Sequence, residues 1–283
     1  LLDEIEEPRD EVNAIATEDD IKGNIVFDHI DFSYDKEKEL IKDMNLIVKQ
    51  GDSVAIVGPT GAGKTTIVNL LMRFYDVDKG SISLEDINIK QYTRASLRGS
   101  MGMVLQDTWL FSGTIRENIR YGRNDATDLD IIAAIEAAHA HHFISTLPGG
   151  YDFVLNEDGT NISQGQRQLL TIARAIVSKP KVLILDEATS SVDTRTEMMI
   201  QDAMNKMMTN RTSFIIAHRL STIKNAKMII VMNKGKIVES GDHKQLLAKG
   251  GFYADLYNAQ FAGSNPMAKI EEAVSENENS CKI

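Results

Sequence analysis

The chain reads as an α/β protein built on a mainly parallel sheet, and three observations carry that reading. Residues 182–185 and 214–217 are almost wholly apolar, without the alternation of half-exposed strands, so they read as central strands buried on both faces. A third apolar run, Ser53-Val54-Ala55-Ile56-Val57, enters a glycine-rich turn and then a helix-like pattern over 66–74. Strands that alternate with helices in this way pair in parallel through helical crossovers.

The elements follow in chain order. Residues 1–22 hold nine carboxylates around Pro8 (Asp3, Glu4, Glu6, Glu7, Asp10, Glu11, Glu18, Asp19, Asp20) and read as a linker. Residues 25–34 alternate like a strand, 46–48 form a second, and 81–89 read as a hairpin arm after the turn Asp78-Lys79-Gly80. Segment 110–165 is a helical insertion. Within it Thr127 opens a helix, with Asp130 placed to reach back to the cap, and Leu129, Ile132 and Ala133 follow at helical spacing. Ser163 opens another helix with the same spacing to Gln166, continuing through Leu169, Leu170, Ile172, Ala173 and Ile176. Residues 228–232 with Gly235 form a late strand and turn. The methionines Met198, Met199, Met204, Met207 and Met208 read as helix core filler. After Ala262 the composition turns to Gly, Ser, Asn, Pro and Glu, which describes a mobile tail with one short helix after Pro266.

Composition bounds the function. With 283 residues, 42% hydrophobic and 25% charged, the chain suits one large globular domain or two small ones. No apolar run nears the roughly 18 residues that span a bilayer, and no signal-peptide pattern opens the chain. It reads as a soluble segment, and its first residue, Leu1, suggests a piece of something longer. The single cysteine, Cys281, excludes an internal disulfide and suits a reducing cytosol. A net charge of −10 argues against a sequence-independent nucleic-acid surface.

The most specific chemistry lies in Gly58-Pro59-Thr60-Gly61-Ala62-Gly63-Lys64-Thr65-Thr66, which has the spacing of a phosphate-binding loop in its strand–loop–helix context. Glycines let successive backbone N–H groups turn toward phosphate oxygens, and the helix N-terminus adds the positive end of its dipole. Lys64 supplies a charge for the β- and γ-phosphates, and the Thr65 hydroxyl is suited to Mg²⁺. Asp186 and Glu187 end a buried strand, where α/β sheets bind ligands; Asp186 suits the metal shell and Glu187 an attacking water. His139, His141 and His142 are weighed as a metal cluster and read instead as a solvated helix end, with no acidic or cysteine partner at ligand spacing. Trp109 keeps two readings, core or a surface that meets a membrane part.

With Asn161-Ile162-Ser163-Gln164-Gly165-Gln166-Arg167-Gln168, the set resembles the ATP-binding cassette family, whose signature Leu-Ser-Gly-Gly-Gln stands here as Ile162-Ser163-Gln164-Gly165-Gln166. The resemblance spans 23 to about 262 and takes in Tyr34, Gln106, Asp186, Glu187, Ser190-Ser191-Val192-Asp193 and His218 in family order. Residues 106–119, with Thr114-Ile115-Arg116-Glu117-Asn118-Ile119, resemble the exporter branch, of multidrug and lipid type. The resemblance implies a P-loop NTPase core, an N-terminal antiparallel β subdomain and an inserted α-helical subdomain over about 110–165. It divides the chain into a linker from an absent membrane domain (1–22), the ATPase domain (23–262) and a tail (263–283).

It also implies residue roles. Tyr34 stacks on adenine, residues 58–66 hold phosphates, and Thr65, Gln106 and Asp186 ligate Mg²⁺. Glu187 is the general base, while His218 and Lys64 act at the γ-phosphate. Asp193 communicates across a dimer, and Ser163, Gln164, Gly165 and Gln166 face the ATP of the opposite subunit. A capped helix N-terminus faces a partner's γ-phosphate only if two domains pack head to tail. Gln164 stands where glycine is usual, as in one half of some heterodimeric bacterial exporters, whose two ATP sites are unequal. Residues 156–160 match only loosely the exporter segment that touches coupling helices.

The expected function is thus an ATP-hydrolysing motor driving export of a small molecule, drug or lipid. It would work as a homo- or heterodimer with ATP and Mg²⁺, at the cytoplasmic face of a membrane, the bacterial plasma membrane. Nucleic acid is not an expected partner: a clamp-type ATPase of nucleic-acid maintenance would carry a heptad coiled coil or a basic surface. A guanine-reading GTPase needs Asn-Lys-x-Asp, and the nearest stretch, Asn233-Lys234-Gly235-Lys236, ends in lysine. A regulatory, non-hydrolysing ATPase is disfavoured by the presence of Glu187 and His218.

Overall fold

The computed structural model describes residues 10, 15, 21–35, 38, 40–105, 108–186, 192–216 and 220–261. The chain begins with strands β1 (Ile25–Phe32), β2 (Ile41–Val48) and β3 (Ser53–Val57), helix α1 (Lys64–Leu71), strands β4 (Lys79–Leu84) and β5 (Ile87–Asn88), and helix α2 (Arg94–Gly99). Strand β6 (Met101–Val104), the short β7 (Gly113–Thr114), helices α3 (Ile115–Arg120), α4 (Asp128–Ala137) and α5 (His141–Thr146), β8 (Val154–Leu155) and the long α6 (Gln164–Val177) follow. The remainder comprises β9 (Val182–Asp186), α7 (Thr194–Met208), β10 (Thr212–Ile216), α8 (Leu220–Asn225), β11 (Met228–Asn233), β12 (Lys236–Gly241), α9 (His243–Lys249) and α10 (Phe252–Phe261).

Six strands form the main sheet in the order β12-β11-β3-β10-β9-β6, with β11, β3, β10, β9 and β6 parallel and β12 antiparallel at the edge. The mainly parallel α/β core is as the sequence implies. The period-2 geometry of its strands divides their side chains between two cores. Val54, Ile56, Ile184, Phe214 and Ile216 join Ile67, Leu70 and Leu71 of α1 and the residues of β1 and β2. Ala55, Val57, Leu185 and Ile215 join Leu169, Leu170 and Ala173 of α6 and Ile200 and Ala203 of α7. Both faces are dry, which is why these strands carry uninterrupted apolar runs.

The second sheet, order β2-β1-β4-β5, is antiparallel throughout. It meets the main sheet through Phe27 and Phe214, whose rings stand edge to face with centroids 6.4 Å apart. Strand β2 begins at Ile41, earlier than the expected 46. Its pattern is interrupted because β1 and β2 pair across register shifts, with His29 (φ 48°) and Asp43 (φ 48°) in left-handed conformation. The expected single arm over 81–89 is instead a hairpin, β4 turning into β5 at Glu85 (φ 52°) and Asp86 (φ 62°). Two consecutive positive-φ residues make the tight turn that suits strand twist.

Helix α1 begins at Lys64, two residues before the expected start, and ends at Leu71 rather than 74. Both expected capping boxes are present, Thr127 with Asp130 and Ser163 with Gln166, and a third, Thr114 with Glu117, starts α3. Met204 and Met207 are buried and Met199 and Met208 pack against the core, but Met198 is 69% exposed, which corrects its reading as core filler: it points off the solvent face of α7. Upstream, Asp10 pairs with Arg94 at 2.7 Å, Ile15 bridges to Tyr92, and Ile21 is buried. The expected tail helix after Pro266 lies outside the described residues. No helix among the described residues is long and apolar enough to cross a membrane.

Candidate functional site

The loop between β3 and α1 turns through three left-handed glycines, Gly58 (φ 152°), Gly61 (φ 77°) and Gly63 (φ 97°). At Gly58 a Cβ would lie 2.3 Å from the carbonyl oxygen of Met232, and at Gly63 it would lie 2.9 Å from Ile41 Cδ1. Glycine is thus demanded at Gly58 by backbone crowding from β11, and at Gly63 by the left-handed backbone itself. Pro59, Thr60 and Gly61 are exposed at the tip, and Ala62 is buried as the loop returns.

Gly63 caps α1 without any side-chain hydrogen bond, so the first backbone N–H groups of the helix are left for a ligand. Lys64 donates to the carbonyl oxygens of Gly58 (2.9 Å) and Pro59 (3.0 Å), folding its ammonium over the loop. Burial pushes its pKa down, and the Asp186 carboxylate at the end of β9 opposes that shift. Thr65 is exposed at the start of the helix, whereas Thr66 is 4% exposed and belongs to the core. Of the two neighbouring threonines, Thr65 is therefore the one open to solvent.

The register of the main sheet gathers the chemistry. Ile216 of β10 pairs with both Asp186 of β9 and Ile56 of β3, and Val104 of β6 pairs with Leu185. The carboxyl ends of four parallel strands thus lie side by side at the phosphate loop, where α/β sheets open to ligands. Gln106, Glu187 and His218, which follow three of those strands in sequence, lie outside the described residues, as do Ser190 and Ser191.

Tyr34, just beyond β1, is 51% exposed. Its hydroxyl accepts a hydrogen bond from Asn69 of α1 at 3.0 Å, and its ring stands perpendicular to those of Phe32 and Tyr75, each with centroids 4.9 Å away. Asn69 and Tyr75 are not among the residues the sequence singles out. Asn69 pairs across 35 positions, which leaves no local spacing signal.

The Ser163–Gln166 group sits elsewhere. Ser163 accepts from the Gln166 N–H (3.3 Å), and Gln166 accepts in return from the Ser163 N–H (3.0 Å), capping α6. Gln164 is exposed at the first turn, while Gly165 is buried where α6 comes close to α7. A Cβ at Gly165 would meet Thr196 Cγ2 at 2.5 Å and Val192 Cγ1 at 3.0 Å. Asp193 caps α7 by accepting from the Thr196 N–H (3.0 Å), a bond that holds its carboxyl below the usual range. The signature and Asp193 are therefore neighbours. Helix α6 packs on α3, α4, α7 and β6, whereas α1 lies against β10.

Beside α6 is an open groove of about 350 Å³, lined in part by Met103, Leu105, Trp109, Tyr121 and Arg174. Trp109 is 54% exposed, which favours surface over core. Arg174 donates to the carbonyl oxygens of Trp109 (2.9 Å) and Asn118 (2.9 Å) and lies over the rings of Trp109 and Tyr121. His139 pairs with Asp202 of α7, so an acidic partner exists in space that sequence spacing does not show. Among the described residues no three His, Cys, Asp or Glu side chains cluster as a metal site.

Residues 41–190 match the family model described as ABC transporter. The chain is 53% identical over 261 residues to an uncharacterized ABC transporter ATP-binding protein, YfiC, of Bacillus subtilis, covering 92% of the chain and 43% of that protein. It is 51% identical over 259 residues to a fatty acid ABC transporter ATP-binding/permease protein of Mycobacterium bovis, covering 92% of the chain and 41% of that protein. Among solved structures, that of a bacterial Atm1-family ABC exporter with ATP bound matches with a TM-score of 0.83 and 42% identity, over 90% of the chain and 45% of the exporter. The chain thus spans less than half the length of these relatives. With its phosphate loop, its sheet and this extent of likeness, the chain belongs to the ABC transporter family and is its ATP-binding domain.

Proposed function

We propose that residues 23–262 form the ATP-hydrolysing motor of an exporter, with about 110–165 as its helical subdomain and 1–22 leading from a membrane-spanning part. The observation that carries this is the phosphate loop: three left-handed glycines, a helix N-terminus with no side-chain cap and a half-buried lysine that donates to the carbonyl oxygens of Gly58 and Pro59. Burial penalises the Lys64 charge, the Asp186 carboxylate opposes that shift, and a triphosphate would add further anionic charge to offset it.

ATP would lie with its phosphates over residues 58–66 and its base on Tyr34. The donor set suits a hard cation: the hydroxyl of the exposed Thr65 and the Asp186 carboxylate offer oxygen, the ligand type Mg²⁺ takes, with Gln106 as a third by family resemblance. When bound, the ion would supply positive charge against the phosphates. Lys64 holds the γ-phosphate. Glu187 accepts a proton from the attacking water, which His218 helps orient. Both roles come from the family resemblance.

The second half of each site would come from a partner domain packed head to tail, presenting Ser163, Gln164, Gly165 and Gln166 to the γ-phosphate, with Asp193 beside them as the link between sites. Within one chain α1 and α6 pack into different cores on the two faces of the main sheet, which supports this arrangement. The groove beside Trp109 is the surface offered to the membrane-spanning part, its exposed aromatic ring supporting that reading. The name of the Mycobacterium bovis relative points to fatty acids as the cargo class, moved across the bacterial plasma membrane from its cytoplasmic face.

Two variants test the proposal. Lys64→Ala should abolish ATP binding; unchanged affinity would remove the phosphate loop from the reading. Glu187→Gln should keep ATP binding while slowing turnover by about 10²–10⁴-fold. Near-normal phosphate release from it would take the base role away from Glu187.

A further inference from the structure

We infer that Asn69 is a positioning residue for nucleotide binding, acting through Tyr34 by tethering the base platform to the helix that holds the phosphates. This rests on the reading of Tyr34 as the surface on which adenine stacks. An exposed tyrosine beyond the end of a strand turns freely about its χ angles unless something holds the ring, and stacking on an unheld ring loses affinity to ordering. Three contacts hold this one. Asn69 Nδ2 donates to the Tyr34 hydroxyl at 3.0 Å, and Phe32 and Tyr75 stand at 85° and 86° to its plane with centroids 4.9 Å away. Phe32 is 4% exposed and so gives a fixed wall, and it also meets Tyr75 at 5.7 Å. Neither neighbour lies parallel over the Tyr34 ring, and half of the residue stays open to solvent.

Of these contacts, the one from Asn69 links two parts of the site. Asn69 lies on α1, the helix that begins at Lys64. Five residues of helix place it about 7.5 Å along the axis from the lysine. The flanking residues Val68 and Leu70 are buried in the core beneath α1, so the amide is carried on a fixed base. One rigid element therefore sets both the phosphate cradle and the orientation of the ring that takes the base. It follows that the Tyr34 hydroxyl matters to ATP although it need not touch the nucleotide, and that Tyr34→Phe, which keeps the ring, is not silent.

The test compares binding of ATP with binding of inorganic tripolyphosphate, which has no base, by calorimetry on the intact chain and its variants. Asn69→Ala and Tyr34→Phe should each weaken ATP by about 2–10-fold, the span of one ordinary hydrogen bond. Both should leave tripolyphosphate unchanged, and the double variant should be no weaker than the weaker single one. In turnover, KM for ATP should rise by the same factor while kcat holds, since only uniform binding is lost. Tyr34→Ala separates the two layers of the argument. If it lowers ATP affinity and spares tripolyphosphate while Asn69→Ala and Tyr34→Phe are silent, the base platform stands and the tether is overturned. If Tyr34→Ala shifts both ligands equally, or neither, the platform reading itself fails. Equal loss of ATP and tripolyphosphate in Asn69→Ala, or additive losses in the double variant, would also overturn the tether.

Discussion

Replacing Gly165 with Ala separates two accounts of why glycine stands in the signature. A residue that serves only a partner's phosphate would tolerate a methyl group without loss of stability, and could gain up to about 1 kcal/mol from helix propensity in α6. The geometry requires the opposite. The new Cβ would lie 2.5 Å from Thr196 Cγ2 and 3.0 Å from Val192 Cγ1. Carbon atoms prefer about 3.5–4.0 Å, so the overlap with the threonine methyl is about 1 Å. An overlap of about 1 Å puts the cost in the upper part of the range for overpacking, about 2–3 kcal/mol, which outweighs the propensity gain of about 1 kcal/mol and leaves a net loss of about 1–2 kcal/mol. For a domain of this size that is a fall in Tm of about 2–8 °C, read by calorimetry or denaturant melts. Thr196→Ser removes Cγ2 while keeping the N–H that bonds Asp193, so the double variant should recover most of the loss. A Gly165→Ala chain as stable as the parent, or one that Thr196→Ser does not rescue, would refute the packing account.

Two further outcomes follow from the same geometry. Gly58→Ala should lower ATP affinity by more than about tenfold because its Cβ would strike the backbone oxygen of Met232 at 2.3 Å, whereas Gly61→Ala, with nothing within 4 Å, should lose less; titration calorimetry showing equal losses would contradict this. Asp130 has its carboxyl held well below its usual range, first by the Lys179 hydrogen bond and then by Thr127. A depressed carboxylate contributes stability above the unfolded pKa of about 3.8, and the contribution is lost as pH falls below it. Asp130→Asn should therefore lower Tm at neutral pH, and its deficit should shrink in melts at acid pH; a deficit constant with pH would be the contrary result.

Much of the molecule is legible in the sequence where one residue type has one physical use. The phosphate loop, the two apolar central strands and the capping boxes at Thr127 and Ser163 need no tertiary information. The box at Thr114 and Glu117 is equally local, yet it gives little signal because short α3 lacks a long apolar period. The β4–β5 turn is hidden because Glu85 and Asp86, rather than Asn-Gly, adopt positive φ there. The bulged register of β1 and β2 breaks the alternation that marks a strand, so the sequence pattern shows only the later part of β2. The packing role of Gly165 is masked by its family role, since nothing local places Thr196 beside it. Contacts such as Asn69 with Tyr34 and His139 with Asp202 join residues 35 and 63 positions apart, and arise only from the fold.

The most direct test of the head-to-tail motor places two lesions in different combinations in an assembled dimeric transporter. Lys64→Ala removes the lysine of the phosphate loop, and Ser163→Asp keeps a good helix cap for α6 while setting a negative charge where the proposed arrangement puts the partner's γ-phosphate. With the lesions on opposite chains, a site built from two chains leaves one loop paired with one intact signature, and about half of ATP turnover should remain. With both lesions on the same chain, neither site is whole and turnover should vanish. If each site were instead built within one chain, the two results would exchange: activity would survive with both lesions on one chain and disappear when they are divided.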